Sequence, residues 1–201
     1  AVLDRSWLEE FGGLLGLRLS DLSESYGISE KDLLIYTYPE KEKIEKADLQ
    51  GLFLGYFFSW DGYKNAMIAK QNGFKYYDKE VEGSSVKYEN LDNFQTGIHD
   101  YFKYIKYGFG RTTDIMCNLY RRRLISRDEA IKKIKSNDGK FPHKYLGKDL
   151  KNILKDIDVS FDEFIDVCDK FTNKSIFKIN NNGKPLRDKD FNIKLNVDPF
   201  N

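Results

Sequence analysis

The segment from Gly97 to Asp114, GIHDYFKYIKYGFGRTTD, concentrates side chains that can bind anions and move protons. Five of the nine residues from Tyr101 to Phe109 are aromatic. Imidazole, carboxylate, ammonium and guanidinium groups lie among them, and general acid–base catalysis and phosphate binding use these groups. They belong to His99, Asp100, Lys103, Lys106 and Arg111.

Helical spacing of about 100° per residue sorts this segment into three stripes. The first stripe, which we expect to face the core, comprises Ile98, Phe102, Ile105 and Phe109, the second His99, Lys103 and Lys106, and the third Asp100, Tyr104 and Tyr107. Gly108 and Gly110 are expected to end the helix, and Thr112 is expected to cap the next one. Arg111 would then lie in the bend between two helices.

The stretch from Gly97 to Arg123 carries six basic and two acidic residues, whereas the whole chain has 33 Lys and Arg against 32 Asp and Glu. Such a local patch suits an anionic ligand: a phosphate, a carboxylate or a nucleic acid. The structural alternative is a solvated helix face, and cations at Tyr120 to Arg123 are also favoured at a helix C-terminus. A net charge of +1 argues against a dedicated nucleic-acid binder.

The composition limits the kinds of protein that the chain can be. The 201 residues, 40% of them hydrophobic, are enough for a domain with a substantial core. No stretch predicts a membrane span or a signal peptide, so a cytoplasmic location is expected. Cys117 and Cys168 lack the spacing of a zinc site, which predicts reduced core thiols and no metal centre. The chain starts without Met, and we expect its N-terminus to have been cut.

The apolar run from Leu49 to Phe58 predicts a strand buried on both faces, as in a parallel sheet. Ser59, Trp60 and Asp61 follow it, where open α/β sheets gather their ligand sites. Trp60 and Asp61 are therefore candidate ligand contacts. The alternative is that Trp60 is a core residue and that Asp61 caps a helix ending at Gly73.

The rest of the chain predicts mostly helices. Two capping boxes, Ser126 with Glu129 and Ser160 with Glu163, precede apolar residues at helical spacing. His143, which follows a proline, is expected to be a surface or loop residue.

Four segments in series resemble the carboxyl-terminal half of the N-acetyl sugar amidotransferases, the family of the pseudaminic acid biosynthesis protein PseA and the lipopolysaccharide protein WbpG. The similarity extends from about Trp7 to Phe177. The segments are LFLGYFFSWDGYKN with the following NGF, GIHDYFKYIKYGFGRTTD, LISRDEAIKKIKSNDGKFP and FDEFIDVCDKFTNKSIF.

The resemblance implies a bacterial enzyme of the PP-loop ATP-pyrophosphatase type. Such an enzyme uses ATP with Mg²⁺ to adenylate the acetamido oxygen of a sugar, free or nucleotide-linked. Ammonia, expected from a separate glutaminase, then displaces AMP and leaves an acetamidino group. Lipopolysaccharide, pseudaminic acid or flagellin glycosylation is the expected pathway. A homo-oligomer is left open, and neither nucleic acid nor a membrane is expected as a partner.

The family's SGGxDS phosphate loop and paired CxxC cysteines do not occur in this sequence. We therefore expect a fragment that binds no ATP by itself and is inactive alone. Its fold is expected to be mainly α-helical with a small α/β part. Residues 1–83 would be the remnant of a parallel-sheet ATP-pyrophosphatase domain, residues 84–180 a helical domain, and residues 181–201 a polar tail.

The implied chemistry assigns roles to the candidate side chains. Lys103, Lys106 and above all Arg111 would stabilise negative charge on the departing pyrophosphate. His99 or Asp100 would take protons from the attacking ammonia. Contacts to the sugar would come from Trp60, Asp61, Tyr104 and Asp114.

Two other functions stay open at this point. The basic and aromatic residues could hold single-stranded nucleic acid by charge and stacking, although helical spacing places half of the rings in a core. The helical half could also dock the glutaminase or a second subunit.

Overall fold

The computed structural model describes residues 2–197 of the chain. These residues form two compact units, which are divided in sequence between Asn65 and Ala66. Residues 66–96, which directly precede the Gly97–Asp114 region, therefore belong with the second unit.

The first unit consists of short helices and one pair of very short strands. Its elements are β1 Val2–Leu3, α1 Arg5–Phe11, α2 Leu19–Tyr26, α3 Glu30–Leu33, α4 Lys41–Lys46 and β2 Gly51–Leu52, with 3₁₀ turns at Leu34–Tyr36 and Leu54–Tyr56. β1 and β2 pair antiparallel, with Leu3 opposite Gly51. A Cβ at Gly51 would lie 2.7 Å from the Leu3 carbonyl oxygen, so this close pairing requires glycine.

The predicted buried strand from Leu49 to Phe58 is wrong. Only Gly51–Leu52 is extended, and the chain turns into a 3₁₀ helix at Leu54. Among the described residues no strand pairs parallel to another. An apolar run predicts burial, but a strand buried on both faces also needs neighbouring strands for its backbone hydrogen bonds. The two-residue β1 supplies too few of them, and Leu54 and Phe58 are 69% and 68% exposed.

The turn after this run is a helix start. The backbone N–H of Lys64 donates to Asp61 Oδ1 at 2.9 Å, which confirms Asp61 as the cap of the next helix, α5 Gly62–Gln71. Trp60 is 85% exposed, so the interpretation of Trp60 as a core residue is wrong.

The second unit is built almost entirely from helices, and the chain is mainly α-helical as expected. After α5 come α6 Thr96–Tyr107, α7 Arg111–Arg121, α8 Arg127–Asn137, β3 Lys144–Tyr145, β4 Lys148–Asp149, α9 Leu150–Lys155 and α10 Phe161–Phe171. β3 and β4 pair antiparallel. The two predicted capping boxes are confirmed, because Ser126 and Ser160 each accept the N–H of the glutamate three residues later, and that glutamate accepts in return.

The main core of this unit lies between α6, α9, α10 and the following chain. Ile105, Cys168 and Phe177 have no exposed surface. The cluster comprises Tyr101, Tyr104, Ile105, Phe141, Leu150, Leu154, Phe164, Cys168, Phe177 and Ile193. Burial raises the pKa of the Cys168 thiol to about 12, so Cys168 behaves as an inert core side chain.

The residues from Lys184 to Val197 are not a separate polar tail. Phe177 pairs with Leu195 and Arg187 with Ile193 in isolated antiparallel bridges, and Ile193 is buried in the core. Arg187 Nη2 also lies 2.5 Å from Asp169 Oδ1 on α10. Alternating polar and apolar residues in this segment let one side pack while the other stays solvated. The last four residues of the predicted tail lie outside the described residues.

Candidate functional site

Helix α6 buries a wider surface than the single predicted stripe. Tyr101, Tyr104 and Ile105 are buried, whereas Phe109, placed in the core stripe by helical spacing, is 41% exposed. Gly108 ends α6 in the left-handed conformation, as predicted. Phe109 therefore falls beyond the helix, where the spacing of 100° per residue no longer applies.

Helix α7 begins at Arg111, and a side chain from a distant part of the sequence caps it. Asp138 accepts hydrogen bonds from the backbone N–H groups of Gly110, Thr112 and Thr113 at 2.8, 3.1 and 3.3 Å. Its Oδ2 also accepts from the Thr113 hydroxyl at 2.5 Å. The predicted capping by Thr112 is wrong, because the Thr112 hydroxyl donates to the carbonyl of Gly83 at 2.8 Å instead.

Arg111 and Asp100 form a two-point ion pair. Arg111 Nε donates to Asp100 Oδ2 at 2.6 Å and Nη2 donates to Oδ1 at 3.0 Å. The Asp100 side chain is 9% exposed and that of Arg111 is 27% exposed. Glu89 Oε2 lies 3.6 Å from Arg111 Nη1. The guanidinium is thus surrounded by two carboxylates, and its fork is occupied by Asp100.

The other predicted cations are dispersed. Lys103 pairs with Asp114, and its Nζ lies 4.7 Å from the ring centre of Phe109. Lys106 Nζ lies 4.7 Å from the ring centre of Phe171. Neither lysine lines the same cavity as Arg111. The three predicted cations therefore do not share one cavity.

His99 and Asp100, which helical spacing placed in different stripes, contact each other through their side chains. His99 Nδ1 lies 3.0 Å from Asp100 Oδ1, and the His99 side chain is 73% exposed. A carboxylate at one ring nitrogen fixes the orientation of an imidazole and leaves the other nitrogen to exchange protons.

A cavity of about 280 Å³ opens beside the Arg111–Asp100 pair. Its walls come from the start of α6, the start of α7, the loop between α8 and β3, and the chain at Glu82. The lining residues are Glu82, Gly83, Gly97, Asp100, Tyr101, Tyr104, Gly110, Arg111, Asn137, Asp138, Gly139, Lys140, Phe141, Pro142, His143, Lys144 and Tyr145.

Glycines set the close spacing of these walls. A Cβ at Gly97 would lie 2.8 Å from Tyr145 Cδ2, and a Cβ at Gly110 would lie 2.7 Å from Asp138 Oδ1. Gly139 has a φ of +74°, and a Cβ there would overlap the Tyr104 ring. Both the conformation of Gly139 and the approach of Tyr104 therefore require glycine.

The tyrosines of the cavity stay protonated. Burial raises the pKa of Tyr104 to about 12, with a smaller contribution from the Asp138 charge. Burial also raises the pKa of Tyr101 and of Tyr145. Their hydroxyls are consequently neutral hydrogen-bond donors at physiological pH.

Sequence reasoning missed much of this site. Asp138, Lys140 and Tyr145 were not singled out, whereas His143 is an exposed loop residue, as expected. Glu89 was not singled out either, since no local signal connects it to Arg111. The only available signal was the segment DGKFP from Asp138 to Pro142, whose glycine and proline indicate an ordered turn.

Burial of Glu89 next to a second carboxylate affects the pH dependence of stability. Desolvation raises the pKa of Glu89 above its usual 4.5, Asp100 and Asp114 add to this, and Arg111 opposes it. The folded state therefore holds a proton on Glu89 at a pH where the unfolded chain has lost it. Stability falls as the pH rises from the unfolded pKa through the folded pKa.

We expect Glu89→Gln to remove this fall. Urea unfolding of both proteins between pH 4 and 7 should show the advantage of the variant growing as the pH rises past 4.5. The control is Glu80→Gln, because Glu80 is 44% exposed in an ion pair with Lys133. Parallel stability curves for the wild type and Glu89→Gln would contradict the prediction.

Trp60 and Asp61 belong to the first unit, whereas the residues around Arg111 belong to the second. Tyr104 and Asp100 line the cavity, and Asp114 pairs with Lys103 outside it.

In residues 2–197 there is no group of three or more His, Cys, Asp or Glu side chains that could hold a metal ion. None of the helices described in that range is long and apolar enough to cross a membrane.

Fold and cavity together define a helical domain with a small cavity that is lined by charged and aromatic side chains. A family model described as LPS biosynthesis protein WbpG-like, C-terminal domain, matches residues 61–190. The chain belongs to this family, a family of sugar-biosynthesis amidotransferases, which confirms the resemblance stated for the sequence. The matched residues include α6 to α10 and every residue that lines the cavity. A search of curated proteins found no match.

Proposed function

We propose that the chain is the carboxyl-terminal part of an ATP-dependent amidotransferase that converts a sugar N-acetyl group into an acetamidino group during bacterial surface-glycan biosynthesis. The observation that carries the proposal is the coincidence of the family match with the cavity. The domain that matches the WbpG-like family is the one that holds the buried Arg111–Asp100 pair in a small-molecule-sized site.

The residues around the cavity suit the chemistry of an amide substrate. An acetamido group offers one carbonyl acceptor and one N–H donor, and the neutral Tyr104 hydroxyl and the Asp100 carboxylate complement these two groups. His99 contacts Asp100 but does not line the cavity, so of the two proposed proton acceptors for the attacking ammonia, Asp100 is the one in the cavity wall. Lys103 and Lys106 lie outside the cavity, so a role for them at the leaving pyrophosphate would need a different surface.

The cavity does not fit the triphosphate of ATP. Its three basic side chains, Arg111, Lys140 and Lys144, face three carboxylates, those of Glu82, Asp100 and Asp138. A triphosphate needs an excess of positive charge or free backbone N–H groups, and Asp138 already occupies the N–H groups at the start of α7. We therefore assign ATP and Mg²⁺ to residues other than these, and the supply of ammonia to a glutaminase partner.

The nucleic-acid alternative receives less support. A stacking platform needs exposed ring faces next to cations. Tyr101 and Tyr104 are buried, and Lys103 and Arg111 are paired with carboxylates.

Turnover by the full-length enzyme tests the proposal. The enzyme would be incubated with ATP, Mg²⁺, an ammonium salt and UDP-N-acetylglucosamine, and in parallel with free N-acetylglucosamine. We expect AMP to form together with a sugar in which NH replaces one oxygen, measured by mass spectrometry. Formation of ADP or of no nucleotide product with either sugar would contradict the proposed reaction.

A further inference from the structure

We infer that the cavity beside Arg111 is the subsite for the single sugar ring that carries the acetamido group, and that it does not bind the phosphates of the reaction. This inference rests on the proposed function, since that function supplies the sugar. It differs from the sequence-based expectation, which placed the leaving pyrophosphate at Arg111.

The first argument is the charge of the cavity. The formal charges of its three acidic side chains and of its lysine and arginine side chains cancel. Arg111 donates twice to Asp100 and also contacts Glu89. A phosphate would have to displace a nearly buried carboxylate from its partner, and this is unfavourable because Asp100 would lose its compensating charge.

The second argument is the mixture of groups. Sugar hydroxyls both donate and accept, so they suit a site that presents carboxylates and cations side by side. The C–H faces of a pyranose also pack on aromatic rings. The cavity offers such rings from Tyr101, Tyr104, Phe141, His143 and Tyr145.

The third argument is size. Sites for small molecules usually have volumes of about 300–1,000 Å³. A cavity of about 280 Å³ lies at the lower end of this range. It has room for one monosaccharide with its acetamido group, whereas the nucleotide of a nucleotide-linked sugar would extend outside. The glycine walls at Gly97, Gly110 and Gly139 fix this size.

Tyr104 is the side chain best placed to recognise the sugar. Its ring is fixed between Gly139 and Phe177, and the ring centres of Tyr104 and Phe177 are 5.4 Å apart. Among the described residues none forms a hydrogen bond with its hydroxyl, which stays protonated. A hydroxyl on a rigid ring that has no partner in the protein can donate a hydrogen bond to a ligand without rearrangement of the protein.

Saturation-transfer NMR on the 201-residue chain tests this inference, with N-acetylglucosamine as one probe and inorganic pyrophosphate in competition. We expect signal transfer to the acetamido methyl and ring protons, unchanged by pyrophosphate. Tyr104→Phe removes only the hydroxyl and should weaken sugar binding about 5-fold, the effect of one hydrogen bond. The matched control is Tyr107→Phe, on the same helix but 62% exposed and outside the cavity.

Three outcomes would overturn the inference: no transfer to the sugar, displacement of the sugar by pyrophosphate, or equal binding by both tyrosine variants. The proposed function has a separate readout, because AMP formation by the full-length enzyme does not depend on where the sugar binds. Turnover by the full-length enzyme without sugar binding at this cavity would contradict the inference but not the proposed function. Sugar binding at this cavity without turnover of either N-acetylated sugar would contradict the proposed function but not the inference.

Discussion

Replacing Arg111 with alanine is expected to lower the free energy of unfolding by about 3 kcal/mol. The reason is that Asp100, whose side chain is 9% exposed, would lose both hydrogen bonds from its guanidinium partner and remain buried as an uncompensated charge. The value is taken from the lower end of the range for buried pairs because Arg111 keeps partial contact with water. Urea unfolding followed by circular dichroism measures it.

Two further variants separate the loss of this ion pair from general effects on α7. The control for general effects on α7 is Arg121→Ala, because Arg121 is an exposed residue at the other end of the helix. Replacing both partners, Asp100→Leu with Arg111→Met, should recover most of the stability, since no buried charge is then left alone. If the free energy of unfolding of Arg111→Ala lies within about 0.5 kcal/mol of the wild-type value, the Arg111–Asp100 ion pair is not buried in solution.

Asp138→Ala is expected to destabilise the second unit by about 2 kcal/mol, the upper end of the effect of losing a helix cap. The carboxylate of Asp138 accepts four hydrogen bonds at the start of α7, three of them from backbone N–H groups. Removing it leaves these donors unsatisfied in a partly buried place and releases the loop that carries Gly139 and Lys140. The same urea unfolding experiment measures the loss.

Two variants show whether the cap is the cause. Asp138→Asn keeps an acceptor oxygen and should lose less than half of what alanine loses. Asp92→Ala removes an exposed aspartate from the same unit and should unfold like the wild type. Equal stability of Asp138→Ala and the wild type would show that α7 does not depend on this side chain.

The parts of the fold that the sequence predicted well are those decided within a few residues. The capping boxes at Ser126 and Ser160, the cap at Asp61 and the end of α6 at Gly108 all depend on contacts within one helical turn. Side-chain type and spacing suffice to read such contacts.

The parts that failed depend on contacts between distant residues. Asp138 is separated by 26 residues from Thr112, whose N–H it accepts, and this distance hides it from any local pattern. The apolar run at Leu49 to Phe58 has the composition of a buried strand, but a short window of sequence does not show whether other strands are available to pair with it.

In the candidate site, too, the sequence predicted the local features and missed those that depend on contacts between distant residues. Residue type singled out His99, Asp100 and Arg111 as candidates, and the structure places these three side chains in contact through Asp100. It did not reveal that Asp100 neutralises Arg111, because that contact joins two helices across the bend at Gly108 and Gly110. The net charge around Arg111 was therefore the least predictable property of the site.

The most direct test of the account is a comparison of steady-state kinetics for Tyr104→Phe and Tyr107→Phe in the full-length enzyme. If the cavity holds the sugar ring of an amidotransferase, Tyr104→Phe raises the KM for the N-acetylated sugar about 5-fold, leaves the KM for ATP unchanged, and Tyr107→Phe behaves as the wild type. An unchanged KM for the sugar in Tyr104→Phe, or an equal rise in the KM for ATP, would contradict the assignment of this cavity to the sugar.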